Sequence, residues 1–125
     1  MLDRLFRSES LSALETMLTF ASERQRVLAA NVANVDTQGY RTRDLSEGDF
    51  RRALDRAFEG RGLTAAFDPR EAEDAGPLKP GGNNVDLELE MAKMARNTLL
   101  HGTAAALLGQ QFALLREAVS GRVIA

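Results

Sequence analysis

Two long segments with helical apolar periodicity lie at opposite ends of this 125-residue chain, and no other feature constrains its fold as strongly. In the first segment, from about Ser10 or Ser12 to Asn34, apolar side chains recur at alternating spacings of three and four residues. This spacing is typical of a coiled-coil seam. The seam has Gln25 as its one polar member and seven apolar members: Leu11, Leu14, Leu18, Ala21, Leu28, Val32 and Val35. Ser12 to Glu15 fit a capping box, which predicts that the helix starts there.

The C-terminal segment predicts a second long helix, from about Asn84 to Ser120, with Asn83 or Asn84 as its N-cap. Eight of the ten positions on its heptad line are apolar, and the line consists of Leu87, Met91, Met94, Thr98, His101, Ala105, Leu108, Phe112, Leu115 and Val119. Gly102 and Gly109 are seven residues apart and therefore lie on one helix face. Because each glycine in a water-exposed helix costs about 1 kcal/mol, we interpret both as sites of close helix packing.

The middle zone, residues 41–82, has a different composition. Seventeen of its 42 residues are charged and it holds all three prolines, so it has too few apolar residues to form a core by itself. One short helix is predicted near residues 49–59, where apolar side chains recur at helical spacing before Gly60 ends the helix. Its apolar residues are Phe50, Ala53, Leu54, Ala57 and Phe58. Residues 61–82 are predicted to be an irregular linker.

These patterns predict an all-α fold in which two long terminal helices, parallel or antiparallel, pair as a coiled-coil-like bundle joined by a short charged linker. Residues 1–40, 41–82 and 83–125 form its three zones, and both ends together make one assembly domain. The apolar stripes are too wide for a two-helix pair to bury, so we expect the bundle to be completed by other chains. Helix packing is predicted at Leu14, Leu18, Leu28, Val32, Met91, Met94, Gly102, Gly109, Phe112 and Leu115.

Composition argues against catalysis, cofactors and metals. The chain has no cysteine and one histidine, which removes disulfides, zinc clusters and Cys–His catalysis. Its net charge of −2 and lack of a basic block argue against nucleic acid as a partner. Residues 97–115 carry no charge, but polar residues interrupt them, so we predict a buried helix and no membrane insertion. The N-terminus lacks the apolar core of a cleavable signal peptide.

A compact segment closes the first helix. Ala30-Asn31-Val32-Ala33-Asn34 is followed by Thr37-Gln38-Gly39-Tyr40, where Gly39 suits the third position of a type II turn. This segment resembles the A-N-N-I-A-N-x-x-T-P-G-Y signature of bacterial flagellar rod and hook proteins, with Gln38 where proline is usual. The matching assembly-signature residues are Asn31, Asn34, Thr37, Gly39 and Tyr40. Residues 85–97 are similar to the V-D-x-E-x-E-M-x-x-M-A-x-N stretch of proximal-rod subunits, so the resemblance covers both ends of the chain.

The resemblance implies a structural subunit of the proximal rod of the flagellar basal body, located in the periplasm and helping to transmit motor torque to the hook and filament. Its implied partners are further copies, the rod proteins FlgC and FlgF, and the FliE adaptor that joins the rod to the membrane ring. It also implies passage through the type III export apparatus without a cleaved signal peptide. Phe50 and Leu54 fit the short F-x-x-x-apolar pattern that export gates recognise. Any amphipathic helix can produce this pattern, so we place plain helix packing ahead as its explanation.

Two alternatives to this interpretation differ in what they explain. The short middle zone argues against hook and distal rod proteins, and residues 85–88 argue against a FlgC-type rod subunit, which is the alternative within the family. A free coiled-coil adaptor explains both heptad lines but not the turn from Asn31 to Tyr40. An adaptor should be a helical dimer in solution, whereas a rod subunit should be a monomer with largely disordered termini.

Overall fold

The computed structural model describes residues 2–61 and 66–121 of the chain. Within these residues, α1 spans Leu2–Ala33, α2 spans Glu47–Phe58 and α3 spans Leu87–Ser120. Two short strands, β1 (Arg43–Asp44) and β2 (Arg70–Glu71), lie before and after α2. The predicted all-α class, with two long helices joined by a short linker, is confirmed. The outer limits of the predicted zones, at Met1 and Ala125, lie outside the described residues.

Helix α1 starts earlier than the capping box indicated. The prediction of a start at Ser10 or Ser12 is wrong, because the helix already runs from Leu2. The Ser12 carbonyl oxygen accepts a hydrogen bond of 2.8 Å from Thr16 Oγ1, a contact typical of a helix interior. No glycine or proline interrupts residues 2–33, so nothing local stops the helix on the N-terminal side of Ser12.

Helix α3 starts later than predicted, and neither Asn83 nor Asn84 caps it. The N-cap is Asp86, whose side chain accepts a hydrogen bond from the Leu89 amide. Glu88 and Glu90 follow in the first turn, where negative charge is favourable. The helix ends at Ser120, before Gly121 with φ of 70°. Asn83 and Asn84 are therefore free to bind elsewhere in the fold.

Helices α1 and α3 pack against each other in antiparallel orientation. Asn31, near the end of α1, contacts Glu90 near the start of α3, and Ala21 and Gln25 contact Asn97 further along. Leu28 of α1 and Ala104 of α3 are both fully buried. The structure thus selects the antiparallel pairing from the two that the sequence left open.

The middle zone folds back onto α1 rather than extending away from it. Phe20 of α1 stacks on Phe50 of α2 with ring centroids 4.2 Å apart, and Phe67 meets the edge of Phe20 at 5.2 Å. Leu45 and Ala53 complete this cluster. The zone has too few apolar residues for a core of its own, so it shares the core built around Phe20.

Local signals explain where α2 begins and ends. Ser46 caps its start by accepting a hydrogen bond from the Asp49 amide. At its end, Gly60 adopts a φ of 71°, and the Arg61 amide donates back to Arg56 O, which is a Schellman motif. The antiparallel β1–β2 ladder pairs only two residues on each side, which is too short for sequence alternation to reveal.

Candidate assembly site

Asn31 is the most completely bonded residue of the predicted signature. Its Nδ2 donates to Arg43 O at 2.7 Å and to Glu90 Oε2 at 2.8 Å. Its Oδ1 accepts from the Tyr40 hydroxyl at 2.9 Å and from the Arg43 amide at 3.1 Å. The side chain is fully buried, so every one of these bonds replaces a bond to water. Asn31 thereby joins α1, β1 and α3 at one point.

The remaining signature residues form the turn after α1. Asn34 Nδ2 donates to Ala30 O at 2.7 Å, and its Oδ1 accepts from the Thr37 hydroxyl at 3.0 Å. The Tyr40 amide donates to Thr37 O, which closes a four-residue turn with Gly39 at its third position. Gly39 has a φ of 73°, the left-handed region that this position of a type II turn requires. The structure thus brings all five signature residues together.

A loop 42 to 49 residues downstream binds this turn, and sequence reasoning missed it. Asn83 Nδ2 donates to Asn34 O and Thr37 O, both at 2.8 Å. The Gly39 amide donates to Gly81 O at 2.8 Å. Next to it, Asn84 Oδ1 accepts from the Thr42 amide at 2.7 Å. The only signal in the sequence is a pair of asparagines directly after Gly81-Gly82, which also fits a helix N-cap.

Charged side chains of α1, β1 and α3 form a second set of polar contacts next to the turn. Arg24 forms a bidentate salt bridge with Asp44, in which Nε donates to Oδ1 and Nη2 donates to Oδ2, both at 2.9 Å. Lys93 Nζ lies 2.7 Å from Asp74 Oδ1, 3.3 Å from Asp44 Oδ2 and 3.7 Å from Glu90 Oε1. We refer to this region as the polar junction, and its side chains belong to Arg24, Asn31, Tyr40, Asp44, Asp74, Asn83, Glu90 and Lys93.

The ionic contacts outweigh the cost of burial in the polar junction. Burial alone would raise the pKa of Asp44, but hydrogen bonds and charge from Arg24 hold that pKa below its ordinary value. Burial would lower the pKa of Lys93, but contacts with Asp74, Asp44 and Glu90 raise it. Burial also raises the pKa of the Tyr40 hydroxyl, as does the nearby Glu90. Asp44 and Lys93 are therefore held in their charged forms.

The junction has the chemistry of a structural contact. The carboxylates of Asp44, Asp74 and Glu90 each lie within hydrogen-bonding or ion-pairing distance of the Lys93 ammonium group. In the part of the chain that the structure describes, no group of three or more histidine, cysteine or acidic side chains is arranged to hold a metal ion. Over the same residues, no helix is both long enough and apolar enough to cross a bilayer.

The face of α3 that packs on α1 lies beside the apolar heptad line. Its buried residues are Glu90, Lys93, Asn97 and Ala104. Asn97 Nδ2 donates to Ala21 O and to Gln25 Oε1, both at 2.8 Å. Glu90 and Asn97 have partners on α1, and Lys93 has partners in the middle zone. These polar side chains are therefore buried at positions where apolar residues would be expected. The spacing of three and four between Glu90, Lys93 and Asn97 is the signal that could have found them.

The ten predicted packing residues differ widely in exposure. Leu14 and Leu28 are buried, Leu18, Val32, Met94 and Leu115 are partly buried, and Met91, Gly102, Gly109 and Phe112 are exposed. A Cβ atom built at Gly102 or Gly109 would meet nothing within 4 Å. Close packing at these two glycines therefore needs another chain, and it stays a prediction.

The predicted export-gate residues Phe50 and Leu54 lie on α2. Phe50 stacks on Phe20 in the core, and both Phe50 and Leu54 are partly buried. In the folded subunit Phe50 therefore has a packing role. Recognition of the pair by an export gate concerns a different state of the chain and stays a prediction.

Comparison with known proteins identifies the class to which this site belongs. The profile of the family described as "Flagella basal body rod protein" matches residues 12–41, which contain the whole signature and most of α1. The class is that of structural proteins of the bacterial flagellar basal-body rod.

Individual relatives define the family more narrowly. The Salmonella typhimurium protein named "Flagellar basal body rod protein FlgB" is 30% identical, with 97% of this chain and 99% of that protein aligned. The Escherichia coli protein of the same name is 31% identical with the same coverage. That of Aeromonas hydrophila is 30% identical over 83% of this chain and 87% of its own length. The chain belongs to the FlgB family of flagellar rod proteins. All three names favour this family over the FlgC-type alternative.

Proposed function

We propose that the chain forms part of the proximal rod by burying the exposed apolar face of α3 against helices of neighbouring subunits, and that it transmits motor torque through these contacts. The observation that carries the proposal is the exposure of five large apolar side chains in the last 22 residues of α3. Their exposed fractions run from 43% for Leu107 to 86% for Val119, and the others are Leu99, Phe112 and Leu114.

The energetics of this face support assembly. Burying one such side chain fully contributes about 1.5–3 kcal/mol. Single soluble proteins seldom leave many large apolar side chains together in water, because such surfaces drive association. We refer to Leu99, Leu107, Phe112, Leu114 and Val119 together as the apolar face. Helical spacing places Leu99, Leu107 and Leu114 on one side of α3 and Phe112 and Val119 on another. Its burial by other chains would complete the core that α1 and α3 begin.

The polar junction supports the torque-bearing part of the proposal. A rod that turns must resist sliding of one helix along another within each subunit. Hydrogen bonds have strict geometry, and those from Asn31, Asn97 and Lys93 join α1, α3 and the middle zone at fixed heights along the helices. Apolar packing alone is not directional and would resist such sliding less.

The partners proposed for the apolar face are further copies of this chain and the rod proteins FlgC and FlgF, with the FliE adaptor at the membrane ring. The proposed site is the periplasmic rod, reached through the type III export apparatus without cleavage of a signal peptide. The proposed role is structural and involves no catalysis. Family membership supports the basal-body location and assembly with rod components.

A matched pair of substitutions at Leu114 tests the proposal. Leu114→Asp places a charge on the apolar face, whereas Leu114→Met keeps the surface apolar at similar volume. We expect cells carrying Leu114→Asp to export the protein but to lack rods in electron micrographs and to be non-motile. Cells carrying Leu114→Met should swim. Normal rods and swimming in the Leu114→Asp strain would contradict the proposal.

A further inference from the structure

The loop of residues 79–84 lies between the proline-bearing linker and α3, and it contacts the signature turn at several points. The Lys79 amide donates to Asn83 O at 2.8 Å and the Gly82 amide donates to Lys79 O at 2.9 Å, so the loop is closed on itself. Gly81 and Gly82 have φ values of 99° and 83°, which side chains other than glycine rarely adopt. We refer to residues 79–84 as the receptor loop.

Asn83 is the centre of the receptor loop. Its side chain is 5% exposed and uses both ends of its amide. The Nδ2 group donates to two carbonyl oxygens of the signature turn, Asn34 O and Thr37 O. The Oδ1 atom accepts from the Val85 amide at 2.8 Å, just before α3 begins. One side chain therefore links the end of α1 to the start of α3.

We infer that Asn83 is a positioning residue whose hydrogen bonds hold the signature turn, residues 34–40, against the receptor loop within one subunit. We refer to this contact between the turn and the loop as the latch. The signature side chains support this role, because Asn31, Asn34, Thr37 and Tyr40 all bond within their own chain. The latch fixes the distance between α1 and α3 at one end of the pair. The other end, which carries the apolar face, is left to be completed by assembly.

The chemistry of the contact restricts position 83 to asparagine. Two carbonyl oxygens require a donor, and the Val85 amide requires an acceptor on the same short side chain. A carboxylate satisfies the acceptor role but brings negative charge against two carbonyl oxygens. The loop and the turn are also neighbours through their backbones, since a Cβ atom on Gly82 would be in ordinary van der Waals contact with the Cα of Gly39, at 3.6 Å.

The substitutions Asn83→Asp and Asn83→Ala distinguish two roles of Asn83: holding the signature turn, and accepting a hydrogen bond from the Val85 amide. Amide hydrogen exchange of the purified full chain reports each bond, because an amide exchanges only when its hydrogen bond opens. Asn83→Asp keeps an acceptor for the Val85 amide but loses the donor to the turn. We expect its Gly39 amide, which bonds to Gly81 O, to exchange about tenfold faster, as the loss of one buried partner shifts an equilibrium by roughly that factor. The Val85 amide should change less.

In Asn83→Ala, both the Gly39 and the Val85 amides should exchange faster. The control is Lys79→Ala in the same loop, since the Lys79 side chain is exposed and takes part in none of the described hydrogen bonds. Exchange at both amides should remain at wild-type rates in this control.

Two results would overturn the inference. One is a Gly39 amide in Asn83→Asp that exchanges at the wild-type rate, because Asn83 would then serve only the Val85 contact. The other is measured on the wild type, so it holds even if both variants fail to fold. If the Gly39 amide exchanges as fast as the Gln38 amide, which donates none of the described bonds, the latch does not exist.

Discussion

Asn31 contributes four side-chain hydrogen bonds to the fold, and its replacement should be among the most damaging single changes. Asn31→Ala removes four bonds at once and leaves Glu90, which is buried, without its amide donor. We expect a loss of about 3 kcal/mol in the free energy of unfolding, measured by urea titration. Asn34→Ala is the matched control, since its side-chain bonds are exposed, and it should cost about 1 kcal/mol. Equal losses in the two variants would contradict this ranking.

Gln38 offers a substitution that should stabilise the subunit. It occupies the second position of the turn, which favours proline, and its amide donates none of the described hydrogen bonds. Gln38→Pro should raise the free energy of unfolding by about 0.4–1 kcal/mol, because it restricts the unfolded chain without removing a native contact. Thermal unfolding followed by circular dichroism measures the change. A lower melting temperature would show that the turn needs a φ that proline cannot adopt.

Asp44 makes the stability depend on pH in the acid range. Its pKa is lower in the folded chain than its ordinary value, because of Arg24 and Lys93. The contribution of Asp44 is therefore present above the unfolded pKa of about 4 and is lost as the pH falls through the folded pKa. Asp44→Asn should cost about 2 kcal/mol at neutral pH, as expected for the loss of charge-assisted hydrogen bonds in a partly buried ion pair.

The difference between wild type and Asp44→Asn should then shrink at pH values below about 4. Urea titrations at several pH values measure it, with Glu73→Gln as an exposed control. A difference that stays constant between neutral and acidic pH would show that the contribution of Asp44 is not ionic.

At the scale of elements, the spacing of apolar residues predicted each helix but not which of its faces packs on the neighbouring helix. Phe50, Ala53 and Ala57 located α2, and the two long stripes located α1 and α3. The same spacing could not identify Glu90, Lys93 and Asn97 as the buried side of α3, because polar side chains are buried only where a distant residue satisfies them. Asn83 was mistaken for a helix cap for the same reason, since its true partners lie in the turn after α1. The signature itself was found because it is continuous in the sequence.

Gly102 and Gly109 give α3 two positions whose role should appear only on assembly. Space is open in front of both within the subunit, so Gly102→Leu or Gly109→Leu should leave the isolated chain as stable as the wild type or slightly more stable, by up to about 1 kcal/mol. The same variants should be expressed and exported but non-motile, because leucine would block a close helix contact. Gly102→Ala, a smaller change, should impair swimming less. Wild-type swimming of both leucine variants would rule out close packing at these sites.

At the scale of the whole molecule, stabilising contacts and exposed apolar surface are concentrated at different ends of the helix pair. The polar junction and the Phe20 cluster hold together the end of α1, the middle zone and the start of α3. Four of the five residues of the apolar face lie on the far half of α3, where most large apolar side chains are exposed. One end of the subunit can thus fold from its own contacts, whereas the other depends on neighbours.

This division predicts the behaviour of the isolated chain. It should be a monomer at micromolar concentration in sedimentation experiments, with rapid amide exchange in the far half of α3 and slow exchange near the polar junction. A free coiled-coil adaptor would instead form a discrete helical dimer that melts cooperatively. Observation of such a dimer would count heavily against the proposed mode of assembly.

Electron microscopy of basal bodies from cells that lack this gene tests the central claim most directly. The comparison is with the same cells complemented by the wild-type gene. A proximal-rod subunit predicts membrane rings without rod or hook in the deletion strain and complete structures after complementation. Complete rods and hooks in the deletion strain would contradict the account, because the rod would then assemble without this chain.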